Sequence, residues 1–225
     1  MATRTLRLDL HTHTYYSPDA LTSPGKFVMA CLQRGINCVA ITDHNTIAGA
    51  RLMERLCPFP VIIGEEIKTD AGDIVGLFLR EEVPPGLPLE EAVARVKAQG
   101  GLVMVPHPFD RFRNSLGEEG LRRILPAVDV IETFNARNMT PGADEQARHF
   151  AALQGIPGVA VSDAHSPGEL GRACIELPAF DGPQGFLEAL AEARLVERRA
   201  PPHVHLYSRW AALRRRVFGW RPAKV

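Results

Sequence analysis

His11 and His13 stand two residues apart at the end of an apolar run in "RLDLHTHTYYSPDAL" (7–21), with Asp19 six residues further on. Similar pieces recur down the chain. Asp43-His44 follows "NCVAIT", Glu65-Glu66 lies in "FPVIIGEEIKT", His107 is near the end of "LVMVPHP", and Asp163 and His165 close "PGVAVSDAH". Imidazole and carboxylate without thiolate is a donor set for Zn²⁺, Mn²⁺ or Fe²⁺. The candidates His11, His13, Asp19, His44, Glu65 or Glu66, His107, Asp163 and His165 are too many for one four-coordinate ion. They fit two or three ions with a shared bridge. Clustered divalent ions activate water and neutralise charge on a tetrahedral or phosphoryl transition state, which is hydrolytic chemistry.

Strand periodicity refines the set. Side chains two apart on a strand share a face, so His11 and His13 pair, with Asp9 on the same side one step deeper and Thr12 facing away. Asp163 and His165 repeat the arrangement. Glu65 and Glu66 are neighbours and face opposite ways, so one of them is the ligand.

To bring these residues together the chain must alternate strands and helices. Apolar runs predict strands over 5–10, 37–42, 59–69, 72–79 (a hairpin partner of the preceding one), 102–108, 129–135 and 157–165, with a last strand at 172–178. Helical spacing and caps predict helices over 22–35, 46–56, 88–100, 120–128, 143–155 and 183–194. The alternation predicts a largely parallel sheet covered by helices. In a barrel or wound sheet the strand C-terminal ends share one rim, where active sites gather. At least five of those ends carry metal-ligand residue types.

The chain has 225 residues, 45% hydrophobic and 23% charged, as in a globular protein with a sizeable core. Lys plus Arg and Asp plus Glu are balanced at 26 each, so no global field advertises nucleic acid or an anionic membrane. The four cysteines (Cys31, Cys38, Cys57, Cys174) lack CxxC spacing and read as thiols of a reducing compartment. "MATRTLRLDL" lacks a signal-peptide apolar stretch, and no run approaches a membrane span. The expectation is a cytoplasmic protein.

Residues 1–198 are expected to form the catalytic domain. Residues 199–225, with a Pro-Pro break followed by Arg209, Arg214, Arg215, Arg216, Arg221 and Lys224, are expected to be a basic, partly helical C-terminal extension docked on or beside it. Trp210, Leu213, Val217 and Phe218 would form its apolar side. The basic tail is a candidate contact for an anionic surface or another subunit.

These motifs together resemble the PHP (polymerase and histidinol phosphatase) domain family, over roughly residues 7–195. "DLHTHTYYSPDA" resembles its first motif, "AITDHNTIAGA" its second, "IIGEEI" the strand of its bridging carboxylate, "VPHPF" its histidine-proline motif and "VSDAHSPGELG" its last. The resemblance implies a distorted (β/α)7 barrel with a metal cluster at the C-terminal ends of the strands. It implies that His11, His13, Glu66 and Asp163 hold one ion and Asp19, His44 and His165 a second. A third would share Glu66 and use His107. Many members place another histidine in the hairpin after the bridging glutamate. This chain has none between His44 and His107, so the third site is weak, missing or filled through Glu132 or Asn135. Asp73 sits in that turn without a defined register.

Near the rim, Arg111 and Arg113 in "HPFDRFRNS", with Arg137 and Asn135 in "FNARN", are candidates to hold a phosphate. Tyr15 and Tyr16 either flank the substrate or close the barrel end. The leading expectation is a metal-dependent phosphoesterase, a phosphomonoesterase or small phosphodiesterase acting through metal-activated water. His107 and His165 are the general acid or base candidates where uncoordinated, with Arg111 and Arg113 on the phosphoryl oxygens. Its substrate would be a small phosphorylated molecule, with a nucleotide or short oligonucleotide end among the candidates. The alternatives are an amidohydrolase-like C–N hydrolase using the same cluster and a non-catalytic metal-binding regulatory or interaction module.

Overall fold

The computed structural model describes residues 5–219. Nine strands form one sheet: β1 (Thr5–Asp9), β2 (Cys38–Ile41), β3 (Val61–Lys68), β4 (Asp73–Leu77), β5 (Leu102–Val105), β6 (Val130–Asn135), β7 (Gly158–Val161), β8 (Cys174–Pro178) and β9 (Arg194–Val196). Their order is β7-β6-β5-β4-β3-β2-β1-β8-β9. The helices are α1 (Pro24–Gln33), α2 (Ala48–Leu56), α3 (Leu89–Ala98), α4 (Gly117–Ile124), α5 (Ala143–Gln154), α6 (Gly182–Ala189) and α7 (Val204–Phe218).

The first seven strands curl into a nearly closed ring, a distorted (β/α)7 barrel. The segments that follow β1 and β7 pair in parallel at Thr12 and Ala164, with His13 N donating to Ala164 O at 2.9 Å. The ring therefore closes at the two segments that carry His11, His13, Asp163 and His165. The sheet is mixed rather than largely parallel. β4 runs antiparallel to β3 and β5, and β8 and β9 add antiparallel strands beside β1. The tight turn before Asp73 dictates the first departure, because a hairpin can only return antiparallel. The predicted helix 183–194 stops at Ala189, continues as a 3-10 turn over Leu190–Glu192, and only Arg194 falls in β9.

Two apolar layers hold the frame. One lies between the sheet and α1–α4, built on Phe27, Cys31, Met53, Val93 and Val96 against Val39, Ile41, Ile63 and Val105. The other fills the barrel with Leu8, Leu10, Ile62, Val75, Met104, Val130 and Val161, and α6 plugs it through Phe186. Both layers leave the strand C-terminal ends to polar residues.

The docked side of α7 is not the one its apolar residues suggest. Val204, Ser208 and Ala211 are buried, while Trp210 (53%), Leu213 (59%), Val217 (65%) and Phe218 (76%) face outward. Small residues allow close approach, and polar anchors on the barrel rim hold the helix there. No helix among the described residues is long and apolar enough to cross a membrane.

Candidate metal centre

Eight of the sequence candidates converge at the strand C-terminal ends. His11 and His13 bring their Nε2 atoms 3.0 Å apart. Glu66 stands between two groups of imidazoles. Its Oε2 lies 3.3 Å from His11 Nε2, 3.4 Å from His13 Nε2 and 3.0 Å from His44 Nδ1, while its Oε1 lies 3.2 Å from His107 Nε2. Asp163 Oδ1 is 3.5 Å from His13 Nε2. Asp19 places one oxygen 3.5 Å from His44 Nε2 and the other 3.1 Å from His165 Nε2. Three groups of potential ligand atoms result: His11, His13 and Asp163; His13, His44 and His165; and Glu66, Asp73 and His107.

The network around the rings decides which nitrogen each one offers. His11 Nδ1 donates to Glu132 Oε1 at 2.6 Å, and His165 Nδ1 donates to the Asp163 carbonyl at 2.8 Å. Ser17 gives its single hydroxyl proton to Asp43 (2.6 Å), so at 2.9 Å it can only accept from His13 Nδ1. Ser115 gives its proton to a backbone carbonyl, and at 3.3 Å accepts from His107 Nδ1. Four imidazoles are thus held as Nδ1–H tautomers with an Nε2 lone pair aimed at shared carboxylates. This is how proteins orient histidine ligands. Asp19 Oδ1 and Asp163 Oδ1 are buried without a hydrogen-bond partner. Lone pairs facing lone pairs, with orphaned carboxylate oxygens among them, fit divalent cations.

The charges agree. Burial opposes the ionised forms of Asp19, Glu66 and Asp163, yet the surrounding imidazoles, and Arg113 for Asp163, hold all three well below the usual carboxylate range. Burial likewise opposes the charged form of His11, but Glu132, Asp163 and Glu66 raise it well above the ordinary value; Glu66 and Asp19 do the same for His44. His13 is lowered by burial and by the neighbouring His165 and His44.

Other polar residues of the strand ends have different roles. β1 ends at Asp9, so its alternation does not carry through to His11. The Asp9 carboxylate instead accepts from Ser162 and Gly171, pinning β1 to the β7 end. Burial pushes its pKa to about 6. Asp43 organises the loop after His13, accepting from Thr14 N (2.7 Å), Thr14 Oγ1 (2.6 Å), Ser17 N (3.1 Å) and Ser17 Oγ. A Cβ at Gly49 would lie 1.9 Å from Asp43 Oδ2, so this position on α2 requires glycine. We expect Asp43→Ala to weaken metal binding by about 10–100-fold, because it releases Ser17 and with it His13. Titration against a competing chelator checks this, and an unchanged affinity would contradict the role.

Glu65 turns away from the cluster: its Oε2 accepts from Val83 N at 2.9 Å. Glu132 and Asn135 are engaged as supports rather than aimed at a third ion. Glu132 holds His11 and His107 N, while Asn135 Nδ2 bonds Glu132 (2.9 Å) and Asp163 (3.2 Å). The acid that joins His107 and Glu66 is Asp73. Its place follows from the hairpin register, in which Glu66 pairs with Val75 and Lys68 with Asp73. Only the pairing, which the sequence does not state, could have found it.

His107 (φ 29°) and Asp163 (φ 52°) adopt left-handed backbone, which costs about 1–2 kcal/mol each outside glycine. Glu132 Oε2 on His107 N (2.8 Å) helps to fix the first. The turns take the chain out of strand geometry just where it must aim ligands.

Of the arginines, Arg113 reaches the cluster, its Nη2 donating to Asp163 Oδ2 at 2.6 Å. Arg137 is buried, with Nη1 3.2 Å from Glu169 and Nη2 donating to Ser208 Oγ on α7 at 2.8 Å. Arg111 is exposed and lines an adjoining groove, because Asp110 caps the loop on Phe112 N, Met139 N and Thr140 and turns it outward. Tyr15 and Tyr16 pack edge-on against each other, 4.8 Å between ring centroids. Above the ligands lies a cleft of about 410 Å³, walled by Arg113 and Arg137, by Phe112 and Met139, and by His205, Ser208 and Arg209 of α7.

Sequence comparison matches residues 9–102 to a family model described as PHP domain and residues 141–195 to one described as PHP-associated. An uncharacterised protein of Methanocaldococcus jannaschii is 35% identical over 196 residues, covering 82% of this chain and 79% of that one. Among solved structures, a candidate metal-dependent phosphoesterase from Bifidobacterium adolescentis superposes with a TM-score of 0.59 at 20% identity, covering 72% of this chain and 88% of its own. An amidohydrolase from Chromobacterium violaceum with bound sulfate gives 0.58 at 17% identity, covering 83% and 97%.

Proposed function

The chain belongs to the PHP domain family, and from that premise we propose that it is a metal-dependent phosphoesterase acting on a small phosphate ester. The observation that carries the reading is the set of four imidazoles whose Nε2 lone pairs face the carboxylates of Asp19, Glu66 and Asp163. Divalent ions held there would polarise phosphoryl oxygens and supply an activated water at neutral pH.

His11, His13, Glu66 and Asp163 would hold one ion, Asp19, His44 and His165 a second, and Glu66, His107 and Asp73 a third. Glu66 is suited to bridging because its two oxygens face different rings. The first two sites each have two imidazoles and suit Zn²⁺ or Fe²⁺, while the third has one imidazole beside two carboxylates and suits a harder ion such as Mn²⁺. Asp73→Asn is then expected to lower metal content from three ions per chain to two, by elemental analysis after dialysis. An unchanged count would remove Asp73 from the ligand set.

Arg113 favours a phosphate over an amide. A neutral carbonyl substrate has no use for a guanidinium anchored on Asp163 at the mouth of the site, whereas a phosphoryl dianion does. Glu132 and Asn135 would keep His11 and Asp163 in register during turnover. Residues 1–198 would form the catalytic unit. The exposed outer face of α7, Trp210 and Leu213 beside Arg214 and Arg216, is where the extension would meet an anionic surface or another subunit. Protein loaded with Mn²⁺, Zn²⁺ or Fe²⁺ should turn over at least one member of a panel of phosphate mono- and diesters. No turnover with any of the three metals overturns the proposal.

A further inference from the structure

α7 lies outside both stretches matched by the family models, yet it forms a wall of the cleft above the metal ligands. His205, Ser208 and Arg209 are three and four residues apart and share one helix face. All three line the cleft together with Asp19, His44, Glu66 and Asp73. The helix is anchored at both ends of that face. Arg137 bonds Ser208, and Arg215 donates to the backbone carbonyls of Tyr15 and Ala20 on the loop that carries Asp19. Buried Val204 and Ala211 complete the contact.

Three arginines line this cleft, and two are committed to the protein. Arg113 is held by Asp163, and Arg137 by Glu169 and Ser208. Arg209 is different: among the described residues its guanidinium has no hydrogen bond or ion pair, although the cleft is rich in carboxylates. The His205 side chain is likewise without a partner there, half-buried between the cluster and α7.

We propose that Arg209 and His205 bind the solvent-facing oxygens of the phosphate held over the cluster, which makes the C-terminal helix a substrate-binding part of the site. This rests on the phosphoesterase reading. An anion seated on cations at the barrel rim presents its remaining oxygens outward, toward α7. There a planar guanidinium can take two of them through paired N–H donors and an imidazole N–H a third. Phe112 and Met139, exposed at the same cleft, are left to flank the organic part of the ester.

The test uses the full chain loaded with Mn²⁺ and inorganic phosphate as the probe, with calorimetric titration beside steady-state kinetics on the best ester. Arg209→Ala should weaken phosphate binding about tenfold or more, the value of a charge-assisted contact, and raise KM with metal content unchanged. Arg209→Lys should recover part of the loss. His205→Ala should show a smaller loss of the same kind. Arg216→Ala, about two helix turns further along α7 and outside the cleft lining, should match the unaltered protein. Phosphate affinity and KM within twofold of the unaltered protein in the Arg209→Ala/His205→Ala double variant would overturn the proposal. So would an equal loss in Arg216→Ala, which would reduce the effect to a general field. If no ester is turned over but phosphate binding still depends on Arg209, the phosphoesterase reading fails and the anion site stands.

Discussion

Glu66→Ala is expected to lower kcat/KM by about a thousandfold or more and to strip metal from more than one site. Among the described residues, Glu66 is the carboxylate whose two oxygens face separate groups of imidazoles, Oε2 toward His11, His13 and His44 and Oε1 toward His107. Its loss removes one ligand from two ions at once. Several kcal/mol of transition-state stabilisation depends on such ions, and each 1.36 kcal/mol is a factor of about ten in rate. Glu66→Gln separates charge from shape: it keeps one carbonyl oxygen but puts an amide N–H₂ where the second ligand oxygen stood. It should therefore retain metal on one side of the bridge and lose it on the other. Elemental analysis beside kinetics reads both variants. Full metal content with activity within tenfold in Glu66→Ala would remove the bridging role.

The candidate ligand positions are legible where the signal is local. Residue type at a strand end is written in the sequence, and His11, His13, His44, His107, Asp163 and His165 all occupy such ends. Strand alternation puts Glu65 and Glu66 on opposite faces and the family resemblance selects Glu66; the Glu65 carboxylate turns back to Val83 N. Alternation failed where strands stop early. Alternation puts Asp9 beneath His11, but β1 ends there, and a buried carboxylate that fastens β1 to β7 looks the same in sequence as a ligand. Asp73 was hidden for another reason, since its position depends on a hairpin register fixed by long-range pairing. Arg137 and Arg111 show that a basic residue beyond a strand end says nothing about its partner. One is taken by Glu169 and Ser208 and the other points into a neighbouring groove. The packing of the extension is likewise not written in its residue types. Its large apolar residues lie outward, whereas packing on a polar rim buries Val204, Ser208 and Ala211.

Chelation should abolish turnover and lower the thermal midpoint, by an amount that grows with pH. With free metal at about a thousand times its Kd, binding contributes about 4 kcal/mol, which for a chain of this length is a fall in Tm of about 10 °C on removal. The pH dependence follows from what replaces the cations. In the metal-free protein, protonated His11 and His44 neutralise Glu66, Asp19, Asp163 and Glu132, which is why both are raised well above the ordinary histidine value of 6.5. A raised histidine contributes stability that is full below its unfolded pKa and disappears as pH rises through its folded one, so the metal-free protein should lose stability progressively above about pH 6.5. Asp19, Glu66 and Asp163 are depressed, and their contribution is present above the ordinary carboxylate range and lost as pH falls through their folded values. The metal-free protein is therefore most stable between these limits. Metal replaces the imidazole protons and removes the alkaline limb. Scanning calorimetry with and without chelator at pH 6 and pH 9 should show the smaller gap at pH 6. A gap that is constant, or that narrows toward pH 9, would mean that the buried imidazoles do not stand in for the ions.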